Sequence, residues 1–228
     1  MPELRENPAT KRWVIIATER AKRPEDFKKG VQDAPEVPPY DAKCPFCEGN
    51  ESLSGEEIFA IKGVRVIPNK YPVLVPPLKG SPAEPKRYKS GIYLHMEGTG
   101  KHELVIENPS HNKCIATMSV EEVSTIIRAY HERYLALDWD PSYKLVTIFK
   151  NHGPRAGASQ QHAHSQIVAT SFIPLHERFA MEAAQRYYDE LGRCVFCDII
   201  KNELAEKERL VMRNDRFVAF VPYAAVLP

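Results

Sequence analysis

Residues 151–169 leave this chain few ways to fold. The segment reads Asn-His-Gly-Pro-Arg-Ala-Gly-Ala-Ser-Gln-Gln-His-Ala-His-Ser-Gln-Ile-Val-Ala. An apolar run, Leu145–Phe149, precedes it, and another, 167–169, ends it; both suit strands. Gly153, Pro154 and Gly157 between them cannot continue a ladder comfortably, so the pattern predicts strand, loop, strand. His162 and His164 occupy alternate positions, with Gln166 two places on. On a strand such residues share a face, roughly 7 Å apart along the chain. The strand would aim two imidazoles and an amide at one pocket, behind a loop with backbone N–H groups to offer. That layout can bind an anion and attack it. His-x-His pairs also suit metal sites.

The remaining composition narrows the partners. The chain has 228 residues, enough for one large domain or two modest ones. Its 31 basic and 30 acidic residues leave a net charge of +1, which gives no sign of a nucleic-acid or membrane partner. No apolar run approaches the length of a bilayer span, and the polar start Met-Pro-Glu-Leu-Arg-Glu is not a signal peptide. Five cysteines include two Cys-x-x-Cys pairs. In a reducing cytosol these suggest metal or redox chemistry rather than disulfides, so a cytoplasmic location is expected.

Along the chain, residues 13–17 read as a strand, followed by the basic group Arg20, Lys22 and Arg23. Residues 31–43 are rich in Pro and acidic residues and read as irregular. Cys44-Pro45-Phe46-Cys47, followed by Gly49, is a knuckle that presents two thiolates to one ion, or a redox pair. Residues 64–71 read as a strand entering a turn, and 76–91 as a loop. Strands at 92–96 and 103–107 are read as a hairpin around Gly98 and Gly100, since no helix follows to make a phosphate loop. Ser119-Val120-Glu121-Glu122 is a capping box, starting a helix that runs to about 137. Val120, Val123, Ile127, Tyr130, Tyr134 and Leu137 are read as its core-facing stripe. A second helix is expected over Leu175–Leu191, then a second knuckle at Cys194 and Cys197, then strands at 210–212 and 217–221. Short strands joined by turns, with few helices, predict an α+β fold with a mainly antiparallel sheet and the 119–137 helix packed on it.

The opening segment resembles the active-site signature of the galactose-1-phosphate uridylyltransferase branch of the histidine-triad superfamily. The matching residues are Asn151 and Gly153, Gly157 and Ser159, then His162, His164 and Gln166. The resemblance implies a duplicated half-barrel architecture whose second half is incomplete here, with domains at 1–172 and 173–228. It implies that His164 is the nucleophile, with Gln166 and Ser159 as catalytic partners. Nucleotide and phosphate contacts fall to Arg20, Arg23, Asn69, Asn151, Gly157, Ser159 and Gln166. Arg20 and Arg23 suit phosphate because a guanidinium fork donates two hydrogen bonds and stays charged. The family's metal pattern maps onto Cys44, Cys47, His111 in Asn108-Pro109-Ser110-His111, and His162, a closed four-ligand structural zinc site. Cys194 and Cys197 are weaker metal candidates.

Family members move a nucleotidyl group through a histidine adduct. The expected reaction takes UMP from UDP-glucose to a hexose 1-phosphate, in a homodimer. Three features depart from the uridylyl pattern: Lys70 stands where an acidic residue is common, Ala163 where Pro is usual between the histidines, and Ser165 where Gly or Cys precedes the Gln. Ser at that place also occurs in relatives that act on adenine nucleotides. An ADP-glucose phosphorylase or adenylyltransferase is therefore the alternative, and a zinc-stabilised nucleotide-binding protein without turnover is a third.

Overall fold

The computed structural model describes residues 3–16, 37–77, 85–153 and 156–226. By compactness the chain forms two units, residues 34–173 and residues 1–33 with 174–228. The sequence division at 172 concerned repeats; compactness joins the first 33 residues to the C-terminal segment.

In the unit 1–33 with 174–228, β1 (Glu3–Glu6) and β2 (Trp13–Ile16) pair antiparallel. Two helices and a second hairpin of this unit, described below, follow residue 174.

The unit 34–173 carries the signature segment. Short α1 (Glu51–Ser54) follows the first knuckle. Then come β3 (Phe59–Ile61), β4 (Val64–Pro68), β5 (Arg87–Ser90), β6 (Tyr93–Met96) and β7 (Gly100–Ile106). Helix α2 (Val120–Asp138), β8 (Leu145–Phe149) and β9 (His164–Thr170) complete it. Five strands form one sheet in the order β3-β4-β7-β9-β8, every pair antiparallel, as the α+β reading expects.

Alternation along the strands gives this sheet two faces. Val64, Val66, Val105, Ile167 and Ala169 pack with Ile126, Ala129 and Leu137 of α2. Ile67, Leu104 and Ile106 form the opposite core, with Cys44, Phe46 and Cys47. The knuckle thus lies on the sheet face away from the helix, which is the face that carries the site.

Helix α2 begins where the capping box places it. The Ser119 hydroxyl accepts from the Glu122 N–H, and the Glu122 carboxylate accepts from the Ser119 N–H. Its inward face differs from the predicted stripe. Thr125, Ile126, Ala129, Arg133 and Leu137 are buried, whereas Val120 and Ile127 are exposed. Arg133 can face inward because its guanidinium meets the Glu103 carboxylate of β7 in a fork, at 2.9 and 2.8 Å.

The predicted hairpin between 92–96 and 103–107 does not form. Strand β6 pairs instead with β5, within the stretch read as loop, while β7 enters the main sheet. The β5–β6 connection is the two-residue loop Gly91-Ile92, and Gly91 adopts φ +60°, which a glycine takes without strain.

After residue 174, α3 (Leu175–Leu191) has the predicted span, and α4 (Val195–Glu206) starts at the second knuckle with Cys194 as its N-cap. β10 (Leu210–Arg213) and β11 (Val218–Phe220) form a hairpin.

Candidate active site and metal centre

Cys44 and Cys47 lie in a turn closed by the Cys47 N–H to the Cys44 carbonyl, 3.4 Å. The Phe46 N–H points at Cys44 Sγ and the Asp41 N–H at Cys47 Sγ, each at 3.4 Å, so backbone dipoles face both sulfurs. The Asn50 amide donates to the carbonyls of Asp41 and Cys44, which ties the loop to itself. Burial pushes the Cys44 thiol up, and the amides of Phe46 and Cys47 pull it back down.

Two histidines reach the same sulfurs from distant parts of the chain. His111 follows β7 after a turn in which the Asn108 side chain accepts from the Ser110 N–H. His162 sits in the bend just before β9, so the strand begins at His164 rather than spanning both histidines. The ligand atoms of Cys44, Cys47, His111 and His162 lie within 4.8 Å of one another, and all four residues are buried. His162 Nδ1 is 3.7 Å from Cys44 Sγ and 3.6 Å from Cys47 Sγ, and His111 Nδ1 is 3.5 Å from Cys47 Sγ. A tetrahedral ion with bonds of about 2.3 Å to sulfur and about 2.05 Å to nitrogen would have S···N edges of about 3.6 Å. The residues present therefore fit a metal ion.

The protons agree with that fit. His162 Nε2 lies 2.6 Å from the Asn108 carbonyl, which can only accept, so the ring carries its proton there and turns the Nδ1 lone pair toward the sulfurs. Burial pushes His162 below the usual imidazole range, and the Asn108 carbonyl works against that shift. A neutral ring is what ligation requires.

His164 is oriented by the same neighbour. Its Nδ1 lies 2.8 Å from the His162 carbonyl and must donate there, so Nε2 carries the lone pair. Among the described residues Nε2 has no hydrogen-bond partner, and His164 lines a small cleft with Ser159, Gln160, Gln166, Asn69 and Lys70. Phe46 of the knuckle packs against both histidines, 6.1 Å from the His162 ring and 5.3 Å from that of His164. His162 thus serves the four-ligand cluster and His164 the cleft; the two do not share one pocket.

Of the residues singled out in the sequence, Ser159, Gln166, His164 and Asn69 line this cleft together. Asn151 and Gly157 belong to the loop between β8 and β9 and do not line it, and Gly157 adopts φ +83°. Arg20 and Arg23 lie outside the described residues. Cys194 and Cys197 are exposed and join no metal-sized cluster among the described residues.

Sequence reasoning missed a buried network on the opposite face of β9. The Ser165 hydroxyl donates to the Glu107 carboxylate and also meets the Tyr130 hydroxyl. Lys150 donates to the same carboxylate at 2.6 Å and to the His164 carbonyl at 3.3 Å. These bonds hold the start of β9 to the ends of β7 and β8. The missed signal was Glu107 and Lys150, each at the end of an apolar strand, where a solvated end looks the same.

Comparison with known proteins places this geometry. Residues 1–174 match the family model "Galactose-1-phosphate uridyl transferase, N-terminal domain". The chain is 34% identical to an ADP-glucose phosphorylase of Arabidopsis thaliana, over 100% of this chain and 64% of that protein. It is 31% identical to a galactose-1-phosphate uridylyltransferase of Haemophilus influenzae, over 100% of this chain and 63% of that one. The crystal structure of an Arabidopsis thaliana ADP-glucose phosphorylase with bound ADP-glucose superimposes with a TM-score of 0.77 at 30% identity, covering 99% of this chain and 65% of that one. The chain thus spans less than two thirds of the length of these relatives. Its signature segment, its fold and the match over residues 1–174 agree: the chain belongs to the galactose-1-phosphate uridylyltransferase family of nucleotidyltransferases.

Proposed function

We propose that the protein transfers a nucleotidyl group from a nucleoside diphosphate hexose to a second phosphate through an adduct on His164. The observation that carries this reading is the His164 Nδ1–H donated to the His162 carbonyl at 2.8 Å, which leaves the Nε2 lone pair facing the cleft without a partner among the described residues. In the first step Nε2 bonds to the α-phosphorus and the bond to the bridging oxygen breaks. The electron pair leaves with the sugar 1-phosphate. In the second step an oxygen of the incoming phosphate bonds to that phosphorus, the N–P bond breaks, and its pair returns to Nε2. Gln166 and Ser159, in the same cleft, donate to the non-bridging oxygens where charge is rearranged. Arg20, Arg23, Asn69, Asn151 and Gly157 complete the nucleotide and phosphate contacts in this reading, and Asn69 is the one of these that lines the cleft.

The metal we assign to Cys44, Cys47, His111 and His162 is zinc, because two thiolates and two imidazoles at tetrahedral spacing suit that ion and leave no open position. Its role is structural: bound there, it would hold the knuckle, the β7–α2 turn and the start of β9 together.

The donor is UDP-glucose in the principal reading, with a hexose 1-phosphate as acceptor. The 34% identity to an ADP-glucose phosphorylase, together with Ser165 before Gln166, favours ADP-glucose as the second reading. We also assign a homodimer and a cytoplasmic location. No helix of the described residues is long and apolar enough to cross a membrane.

The test is a burst measurement. Mixed with UDP-glucose or ADP-glucose and no acceptor, the protein should release about one sugar 1-phosphate per site and stall. The adduct should be acid-labile and absent in His164→Ala. A burst that persists in His164→Ala would move the nucleophile elsewhere. No burst with either sugar nucleotide would overturn the transferase reading.

A further inference from the structure

His102 lies on β7, buried on the same face as Leu104 and Ile106. The β7–β9 register pairs it with Val168, which makes Gln166 its diagonal neighbour across the ladder. Its Nε2 is 2.8 Å from Gln166 Oε1, and its Nδ1 is 3.1 Å from the backbone N–H of Val73.

The protons of this chain can be assigned from its fixed end. A backbone N–H only donates, so His102 Nδ1 must carry a lone pair. The single proton of the neutral ring is then on Nε2, and the atom it meets must accept. Gln166 therefore turns its oxygen inward to His102 and its –NH2 toward the cleft that holds His164 and Ser159. The Asn69 –NH2 lies 3.4 Å from Nδ1 and 3.1 Å from Nε2; since it can only donate, it shares the Nδ1 lone pair with the Val73 N–H. The Asn69 oxygen faces the Tyr71 N–H at 2.8 Å, which turns the –NH2 to the ring and leaves Gln166 Oε1 as the acceptor for Nε2–H. The Asn69 N–H bonds the His102 carbonyl at 2.9 Å, which fixes the backbone of the same residue.

We propose that His102 is a positioning residue: its Nε2–H holds the Gln166 amide in the one orientation that offers N–H to a phosphoryl oxygen. Without that partner the amide is free to turn over and present its oxygen to an anion, which repels it. The inference rests on the nucleotidyl-transfer reading, in which Gln166 is the donor. It adds that Gln166 acts as a donor only in the company of His102 and, through it, of the Val73 amide.

Two substitutions separate the two ends of the ring. His102→Asn places a side-chain oxygen where Nδ1 was, keeping an acceptor for Val73, but reaches no further. His102→Gln places an amide nitrogen where Nε2 was and restores a donor to Gln166. In single-turnover bursts with the full chain and UDP-glucose or ADP-glucose, His102→Asn should be slower by roughly 10–100-fold, short of the loss from deleting a transition-state donor outright. The half-saturating concentration should change little. His102→Gln should recover most of the rate. In a Gln166→Ala background His102→Asn should cost nothing further, whereas a purely structural role would cost the same in both backgrounds. Long-range 15N–1H spectra of the His102 ring supply a readout independent of turnover, and the Nε2–H tautomer is expected. If the wild type gives no burst, the transferase reading falls, and this inference with it. If the wild type bursts and His102→Asn bursts equally fast, or His102→Gln is the slower variant, or the ring is the Nδ1–H tautomer, only the role of His102 is overturned.

Discussion

The ion pair between Arg133 and Glu103 fixes the face that α2 turns to the sheet, and its removal should be costly in a calculable way. The side chains are 11% and 2% exposed, and the fork makes two charge-assisted bonds. Arg133→Met keeps most of the apolar stem but leaves Glu103 buried without a partner. Removing one member of a buried pair costs about 3–5 kcal/mol, and the slight exposure at Arg133 favours the lower part, about 3–4 kcal/mol. Replacing both, Glu103→Leu with Arg133→Met, removes the desolvated charges together and should fall within about 1–2 kcal/mol of wild type. Amide hydrogen exchange is the suitable assay, because it reads the unit 34–173 directly. Protection at the Val105 and Ile167 amides, which lie in that helix-facing core, should drop by about 10²–10³-fold in Arg133→Met. It should largely return in the double variant. A loss below about 1 kcal/mol in the single variant, or losses that simply add in the double, would refute the claim that this pair sets the helix face.

Three further outcomes are expected. Gly100→Ala should destabilise by about 1–3 kcal/mol in thermal unfolding, since a Cβ there would stand 2.3 Å from the Ala169 carbonyl oxygen and 2.6 Å from Leu74; a change under about 0.5 kcal/mol would contradict it. Burial, and then Glu107 beside it, push Tyr130 up to about 12. The folded state thus holds this proton more tightly, so the stability it confers is full below about pH 10 and is lost as pH rises through about 12. Tyr130→Phe should abolish that alkaline loss, at most about 3 kcal/mol, and unchanged alkaline denaturation curves would disprove it. Cys44→Ser should lower bound zinc from about one per chain toward zero and lower the Tm, as elemental analysis and calorimetry would show; full zinc retention would exclude the four-ligand assignment.

What could be read from the sequence divides along physical lines. The start of α2 was legible because a capping box is a local bond between residues three apart. Its phase was not, because Arg133 and Thr125 are polar and a hydrophobic stripe excludes them. Only the Glu103 carboxylate on another strand makes Arg133 an inward residue. The β5–β6 hairpin was hidden by an unpatterned, polar strand, although Ser90-Gly91 carried the turn signal. The cluster of Cys44, Cys47, His111 and His162 is spread over more than a hundred residues, so no spacing rule could have assembled it; the family resemblance could. His102 was invisible for the opposite reason. It is a single histidine in an alternating strand, and its meaning lies in the diagonal neighbour that the sheet register supplies.

One residue in this molecule would mislead an enzymologist. His162 offers its ring to the sulfurs of Cys44 and Cys47 and its main-chain oxygen to the ring of His164. If zinc is held there and His164 is the nucleophile, as proposed, a chelator would free the ring, let the peptide shift, and loosen the hold on the His164 tautomer. Activity lost in that way would look like proof of a catalytic metal. The distinguishing sign is time: inhibition should track the slow relaxation of the polypeptide rather than the departure of the ion, and readdition of zinc should restore activity only as fast as the bend before His164 re-forms.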